Sequence, residues 1–396
     1  MFFSNKKKVN LHKKRKFKSS TLHIYLLIIA IFFSVILSIV IYGINIKYHL
    51  KLGNTLTAYL AIIGSLPTVY LWIVKERKKE EELKNKQQEI NQIKVSELNK
   101  VYVDAVNQFY NEKTFIAGAY ALLALVGDWI NMSKDYEEKA KDYYPRVSQI
   151  SSIIFSAQQY NIDNVTFRSI IVELFKKINR LDQENDEFYF NWSNFSLYNI
   201  NLSYHDLSGV DMSGINLLNS GFYANELVNI RLNFANLTGI ELGRSNLSNA
   251  ELIRTNLSYA SLFNSDLSSA ELQNANLKHA KLKYANLTGA NLMHSNLIDA
   301  NLSRAILSGV NLKNANLTDA NLMLANLTGA DLSRANLSGA NLKNANLTGV
   351  NLADADLTGA DLSGANLKNA NLKNAKITNV NWDNTNLENT NFPEFS

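Results

Sequence analysis

The chain has no cysteine, which removes disulfides, thiolate metal sites and cysteine nucleophiles together and fits a reducing compartment. Proline is nearly missing: Pro67, Pro145 and Pro393 are too few for a rigid proline-rich linker. The six histidines (His12, His23, His49, His205, His279, His294) are too scattered to form a metal or acid–base cluster. No GxxxxGK[ST], HExxH, GxSxG or GxGxxG motif occurs, so the phosphate-cradling, zincin and serine-hydrolase signatures are all missing. Acidic residues are scarce at the start, where residues 1–79 hold fourteen Lys/Arg against one acid. The net charge of +5 is therefore a local excess, and the pI gives no evidence of a nucleic-acid-binding fold. The remainder is slightly acidic, with 13 bases against 18 acids in residues 80–189 and 13 against 16 in residues 190–396.

Charge is wholly absent from two apolar runs. Leu22–Tyr42 and Leu56–Val74 contain no Lys, Arg, Asp or Glu. Each is close to the ~20 residues that cross ~30 Å of hydrocarbon as a helix. Tyr25, Tyr42, Tyr59 and Trp72 stand near the ends, at headgroup level. The first run is too long for a signal-peptide core and no small-residue cleavage site follows it. Basic residues before the first run and after the second (Lys75, Arg77, Lys78, Lys79) place both termini in the cytoplasm by the positive-inside rule. The expected organisation is a basic N-terminus (1–20), a two-helix membrane segment (21–75), a helical region (76–189), a repeat (190–392) and a tail (393–396). The bilayer is the first expected partner, and the bacterial inner (plasma) membrane the expected location.

Residues 76–189 read as helical. Lys75–Tyr110 suits a helix leaving the membrane, without the regular a/d spacing of a coiled coil. Phe115–Gly127 has thirteen apolar residues, too short to span and typical of a core helix. Pro145 suits the opening of a further helix. Phe167, Ile170, Ile171, Leu174, Phe175, Ile178 and Leu181 recur at steps of three and four, which makes an amphipathic helix over 166–181. A solenoid exposes apolar surface at its ends, so this helix is expected to cover the open end of the repeat that follows.

That repeat has a period of five, which is neither helix nor strand. The register runs unbroken from Trp192 to Phe392, with an apolar residue at every central position i, leucine in nearly all. Trp192, Met212, Phe222, Ile377, Trp382 and Phe392 are the exceptions. From Ala235 onward position i−2 is always Ala, Ser, Thr, Val or Ile. Two apolar positions flanking a polar one describe a three-residue strand, and the other two residues must turn a corner. Position i+2 holds most of the region's glycines and many asparagines, the residues that tolerate the positive φ of a type II turn.

Runs of A(N/D)Lxx, as in Ala340-Asn341-Leu342-Lys343-Asn344, resemble the pentapeptide-repeat family. The resemblance covers residues 190–392 and implies a right-handed, four-sided β-helix with four pentapeptides per coil. About ten coils then make a rod of ~48 Å at ~4.8 Å per coil. Residue n lies over n+20, so Asn236, Asn256, Asn276, Asn296, Asn316 and Asn336 form one outward ladder ending in Asp356 and Lys376. The first coils carry bulkier or more polar residues at i−2 (Phe190, Phe195, Ile200, His205, Val210, Asn225), so regular geometry is expected only from about residue 230. GAYALLALVGDW (118–129) is also similar to a helical stretch found between membrane spans and pentapeptide repeats in bacterial proteins.

No catalytic, cofactor-binding or metal-binding residue emerges, and no enzyme activity or cofactor is expected. Asp354 and Asp356 sit on a solvated face. The N-x-S/T triplets, such as Asn286-Leu287-Thr288, are by-products of the repeat. The reading is a membrane-anchored interaction or scaffold protein that presents a cytoplasmic rod to a protein partner. A membrane effector or homo-oligomeric channel is the alternative. A third reading follows from the resemblance, since some family members inhibit a topoisomerase as DNA mimics. With 16 acids against 13 bases the rod is a poor copy of a duplex, which has one charge per ~1.7 Å, and nucleic acid is not an expected partner.

Overall fold

A five-residue unit must satisfy five backbone N–H donors, and the way each is met explains the whole repeat. In the computed structural model, the unit around Leu327 shows the pattern. Asn326 N–H donates to Ala305 O in the coil before (3.0 Å), and Leu327 N–H to Asn346 O in the coil after (2.7 Å). Gly329 N–H reaches Thr348 O (2.9 Å), and Ala330 N–H closes the corner on Leu327 O (3.0 Å). The fifth donor, on Thr328, is taken by the Asn326 side-chain oxygen at 3.2 Å. Asn or Asp therefore recurs at i−1 because the backbone needs a side-chain acceptor there.

The structure describes residues 53–135, 140–157, 164–184 and 190–393, with helical positions scattered between 28 and 47. The apolar run 22–42 falls largely outside the described residues, as does the basic N-terminus. The chain divides into two units, Met1–Lys94 and Val95–Ser396.

In the first unit, the second apolar run is part of helix α1 (Gly53–Phe109), which continues through the charged stretch beyond it. The side chains described in its apolar part, Val69, Tyr70, Leu71, Trp72 and Val74, are exposed.

In the second unit, the end of α1 joins α2 (Phe115–Asp135), α3 (Ala140–Ser156) and α4 (Val165–Glu184). Helix α2 runs well past the thirteen residues of the apolar run, because Asp128 is followed by Trp129, Ile130 and Met132, which are buried. Phe115–Met132, in α2, is also long and apolar enough to cross a membrane. Its inward residues, Ala119, Leu122, Leu125 and Val126, are buried in the helical core. Helix α3 begins upstream of Pro145, which lies inside it rather than at its start. The two glycines of GAYALLALVGDW have a steric reason. A Cβ on Gly118 would fall 2.6 Å from Phe109 Cα, and one on Gly127 would fall 2.8 Å from Lys177 Nζ. Lys177 uses that space to donate to Leu123 O at 2.9 Å. Burial is the main influence on its ammonium and lowers its pKa, with Asp128 acting in the opposite sense.

From Ser196 to Asn371, every fifth residue forms a parallel bridge with the residue twenty further on. The coil is thus regular from its first turn, not from about residue 230. Among the bulky early residues, Phe195 packs on Phe155 of α3 (5.4 Å) and on Phe190 (5.1 Å). Inside the tube the central leucines and the small i−2 residues are almost fully buried up to Leu372. Each corner has the third turn residue at positive φ, from Asn199 to Asn389, as in a type II turn. Tyr204, Phe234, Arg244, His279 and Leu324 adopt it as well as Gly and Asn.

Candidate interaction surface

Two features of the second unit bear on function: how the rod begins, and what its four faces present. At its start, Phe175 of α4 packs on Trp192 at 5.2 Å, and Phe155 of α3 packs on Phe175 at 5.6 Å. The carboxamide of Asn179 pairs with the first coil's open edge. Its Nδ2 donates to Gly209 O (3.1 Å), and its Oδ1 accepts from Asp211 N–H (3.0 Å). In the next coil the equivalent donor, Arg231 N–H, reaches Val210 O. One side chain of α4 thus stands in for a missing strand, and α4 caps the rod by hydrogen bonding as well as apolar cover. The amphipathic pattern pointed to the apolar side of α4. It gave no sign of Asn179, a single polar residue next to Ile178.

Twenty residues per coil sort the centres into four faces, each recognisable by its first leucine or methionine. The Leu197 face carries the expected asparagine ladder. Asn236 Nδ2 donates to Asn216 Oδ1 (2.9 Å) and Asn276 Nδ2 to Asn256 Oδ1 (3.1 Å). The ladder is not uniform, since Asn256 turns to Thr238 Oγ1 (2.8 Å). It ends as expected, with Lys376 Nζ on Asp356 Oδ2 at 3.2 Å. The Thr358 hydroxyl, then its N–H, and more weakly Lys376, hold the Asp356 carboxyl below its ordinary range. Ser363 does the same for Asp361, and Ser208 for Asp206. These aspartates are turn acceptors. Among the described residues no group of three or more His, Asp or Glu is placed to hold a metal ion.

The Leu202 and Met212 faces lie on opposite sides of the coil and differ sharply. On the Met212 face, two arginines pair with acids one coil away: Arg231 with Asp211 (3.3 Å) and Glu251 (3.5 Å), and Arg334 with Asp354 (3.8 Å). One cation there, Arg254, lies over a ring instead (Phe234, 5.9 Å). On the Leu202 face, Arg244 lies over Tyr223 (5.8 Å), and both Lys283 (5.1 Å) and Arg304 (5.9 Å) lie over Tyr284. Tyr204 meets Tyr223 edge-on at 5.8 Å, and Phe263 meets Tyr284 at 5.7 Å. Gly243 leaves room between the two clusters, since a Cβ there would come within 3.3 Å of the Tyr223 ring. Composition conceals this stripe, because its residues are about twenty apart. Writing the sequence in rows of twenty brings it into one column.

These observations define a parallel β-solenoid with five-residue sides, capped by helices. The model for pentapeptide repeats matches eight copies, over residues 230–268, 270–309, 305–344, 325–364, 335–374 and 370–394. The chain belongs to the pentapeptide-repeat family, and its solenoid is a right-handed β-helix. No curated protein matches it. Among solved structures it is similar to HetL of the cyanobacterium Nostoc sp. strain PCC 7120, a pentapeptide repeat protein involved in regulating heterocyst differentiation. Identity there is 32%, covering 56% of this chain and 98% of HetL, with a TM-score of 0.26. A second pentapeptide repeat protein of Nostoc PCC 7120 is 43% identical over 22% of this chain and 77% of its own, with a TM-score of 0.20. Full-length QnrB1, a plasmid-mediated fluoroquinolone resistance protein, is 21% identical over 44% of this chain and 94% of its own, with a TM-score of 0.23. Membership rests on the matched repeats and the coil geometry, not on these superpositions.

Proposed function

We propose that this chain is a membrane-anchored, non-enzymatic interaction protein that holds its solenoid on the cytoplasmic face of a bacterial inner membrane, where a protein partner binds it. One contrast carries the reading. Large apolar side chains stand exposed throughout the described apolar part of the N-terminal unit (Ile28, Phe32, Phe33, Leu71, Trp72), whereas the solenoid turns its central leucines inward and exposes only scattered apolar residues such as Phe234 and Leu324. Exposed apolar side chains in such a run suit lipid contact. A rigid, extended repeat surface suits a protein partner.

The absence of native cysteine makes the test clean. Asn54→Cys and Thr358→Cys, introduced singly, are labelled in intact cells with a membrane-impermeant maleimide. The reading expects the first to react and the second to react only after lysis. It also expects the full-length protein in the membrane pellet, and crosslinks from the solenoid to another protein. Recovery in the high-speed supernatant without detergent, or labelling of Thr358→Cys from outside, would overturn it. Dye leakage on expression would move the assignment to a channel.

A further inference from the structure

We infer that the Leu202 face of the solenoid is the docking surface, and that its partner is an acidic, Asp/Glu-rich protein segment. This deepens the scaffold reading and rests on it for there being a protein partner. The solenoid carries more acids than bases overall, yet between residues 221 and 324 this face holds Arg244, Lys281, Lys283 and Arg304 against Glu241 alone; further along, Lys343 lies near Asp361. From Arg231 to Arg334 the opposite face holds Arg231, Arg254, Lys313 and Arg334 against Glu251, Glu271 and Asp331, and Arg231 and Arg334 are paired with carboxylates of neighbouring coils. Among the described residues, Arg244, Lys283 and Arg304 form no ion pair within 4.0 Å and lie instead over tyrosine rings. A ring restrains a cation without cancelling its charge, which keeps its hydrogens available to an incoming carboxylate.

The same geometry chooses between anionic partners. Single-stranded nucleic acid binds such surfaces by stacking bases on aromatic faces. Here the cations lie over the Tyr223 and Tyr284 rings, within 5.9 Å of their centroids, so two of the stripe's four rings are already covered by the protein's own side chains, and only Tyr204 and Phe263 stand open. Carboxylates need the cations and not the ring faces. The flat, parallel edge of successive coils suits an extended segment lying along the stripe.

The test measures fluorescence anisotropy of a fluorescein-labelled glutamate-rich peptide against the full-length protein in detergent, with oligothymidylate and phosphatidylserine vesicles as competing probes. The double variant Lys283→Glu/Arg304→Glu is expected to weaken peptide binding about tenfold or more, and Lys313→Glu on the opposite face to change it less than about twofold. Circular dichroism of each variant checks that the fold is intact. Tyr284→Ala, which frees both cations from their ring, is expected to weaken binding without any change of charge. Equal losses from the two faces would overturn the inference. So would preferential, stripe-dependent binding of the oligonucleotide or the vesicles. Crosslinks to a protein from other faces only would refute this face assignment while leaving the scaffold reading in place.

Discussion

Ala→Gly is ordinarily destabilising, and this solenoid contains a position where the sign should reverse. Ala224 is the third residue of a corner and sits at φ 53°. An L-residue in that left-handed region costs roughly 1–2 kcal/mol. Glycine removes that cost but gives the unfolded chain more freedom, which takes back roughly 0.5–1 kcal/mol. Ala224→Gly is therefore expected to stabilise the fold by about 0.5–1 kcal/mol. Ala340 is the control. It is fully buried at i−2 and has no positive φ, so Ala340→Gly gains nothing at the backbone. It loses one buried methyl, about 0.8 kcal/mol, plus the same entropic cost, for a destabilisation of about 1.5 kcal/mol. The two identical chemical changes should shift the urea midpoint of the β-sheet circular dichroism in opposite directions at constant slope. If both lower the midpoint, the corner is not strained at Ala224 and the reasoning on positive φ is wrong.

Further expectations follow from other parts of the fold. Asn179→Leu removes both hydrogen bonds to the edge of the first coil and should cost about 2–3 kcal/mol, with amide exchange rising first at Gly209 and Asp211. Asn179→Asp keeps an acceptor for Asp211 N–H but not a donor for Gly209 O, and should fall between wild type and leucine. Gly118→Ala places a methyl against the Phe109 backbone, which cannot swing away as a side chain would, and should lower stability by about 1–3 kcal/mol in a thermal melt. Asp356 and Asp361 have carboxyl pKa values lowered in the folded state. Their contribution is therefore present above the unfolded-state value and is lost as the pH falls through the lower, folded value. Asp356→Asn/Asp361→Asn should weaken the acid-side loss of stability below about pH 4, measured as urea midpoint against pH.

The coil was legible because its determinants are local. Leu342, Ala340 and Asn341 each carry one part of the instruction, to fill the tube, to fit beside it and to satisfy a corner donor, and the next unit repeats it. What was not legible depends on contacts that no short window contains. Phe234, Arg244 and Leu324 occupy the left-handed corner although their side chains disfavour it, because neighbouring coils fix the backbone on both sides. Phe195 and Ile200 suggested irregular early coils. The ring of Phe195 is met by Phe155, forty residues upstream in α3. Asn179 pairs with residues 30 and 32 positions ahead, beyond the reach of helical periodicity.

The bridge interval of twenty residues carries a rule for changing the length of this protein. Adding or removing one pentapeptide advances everything downstream by a single side of the square. A pattern lying along one wall would then continue on the adjacent wall, and any partner reading it would meet a broken line. Only changes of a whole coil lengthen or shorten the rod while each wall stays in line, so duplications of four units should be tolerated where duplications of one are not.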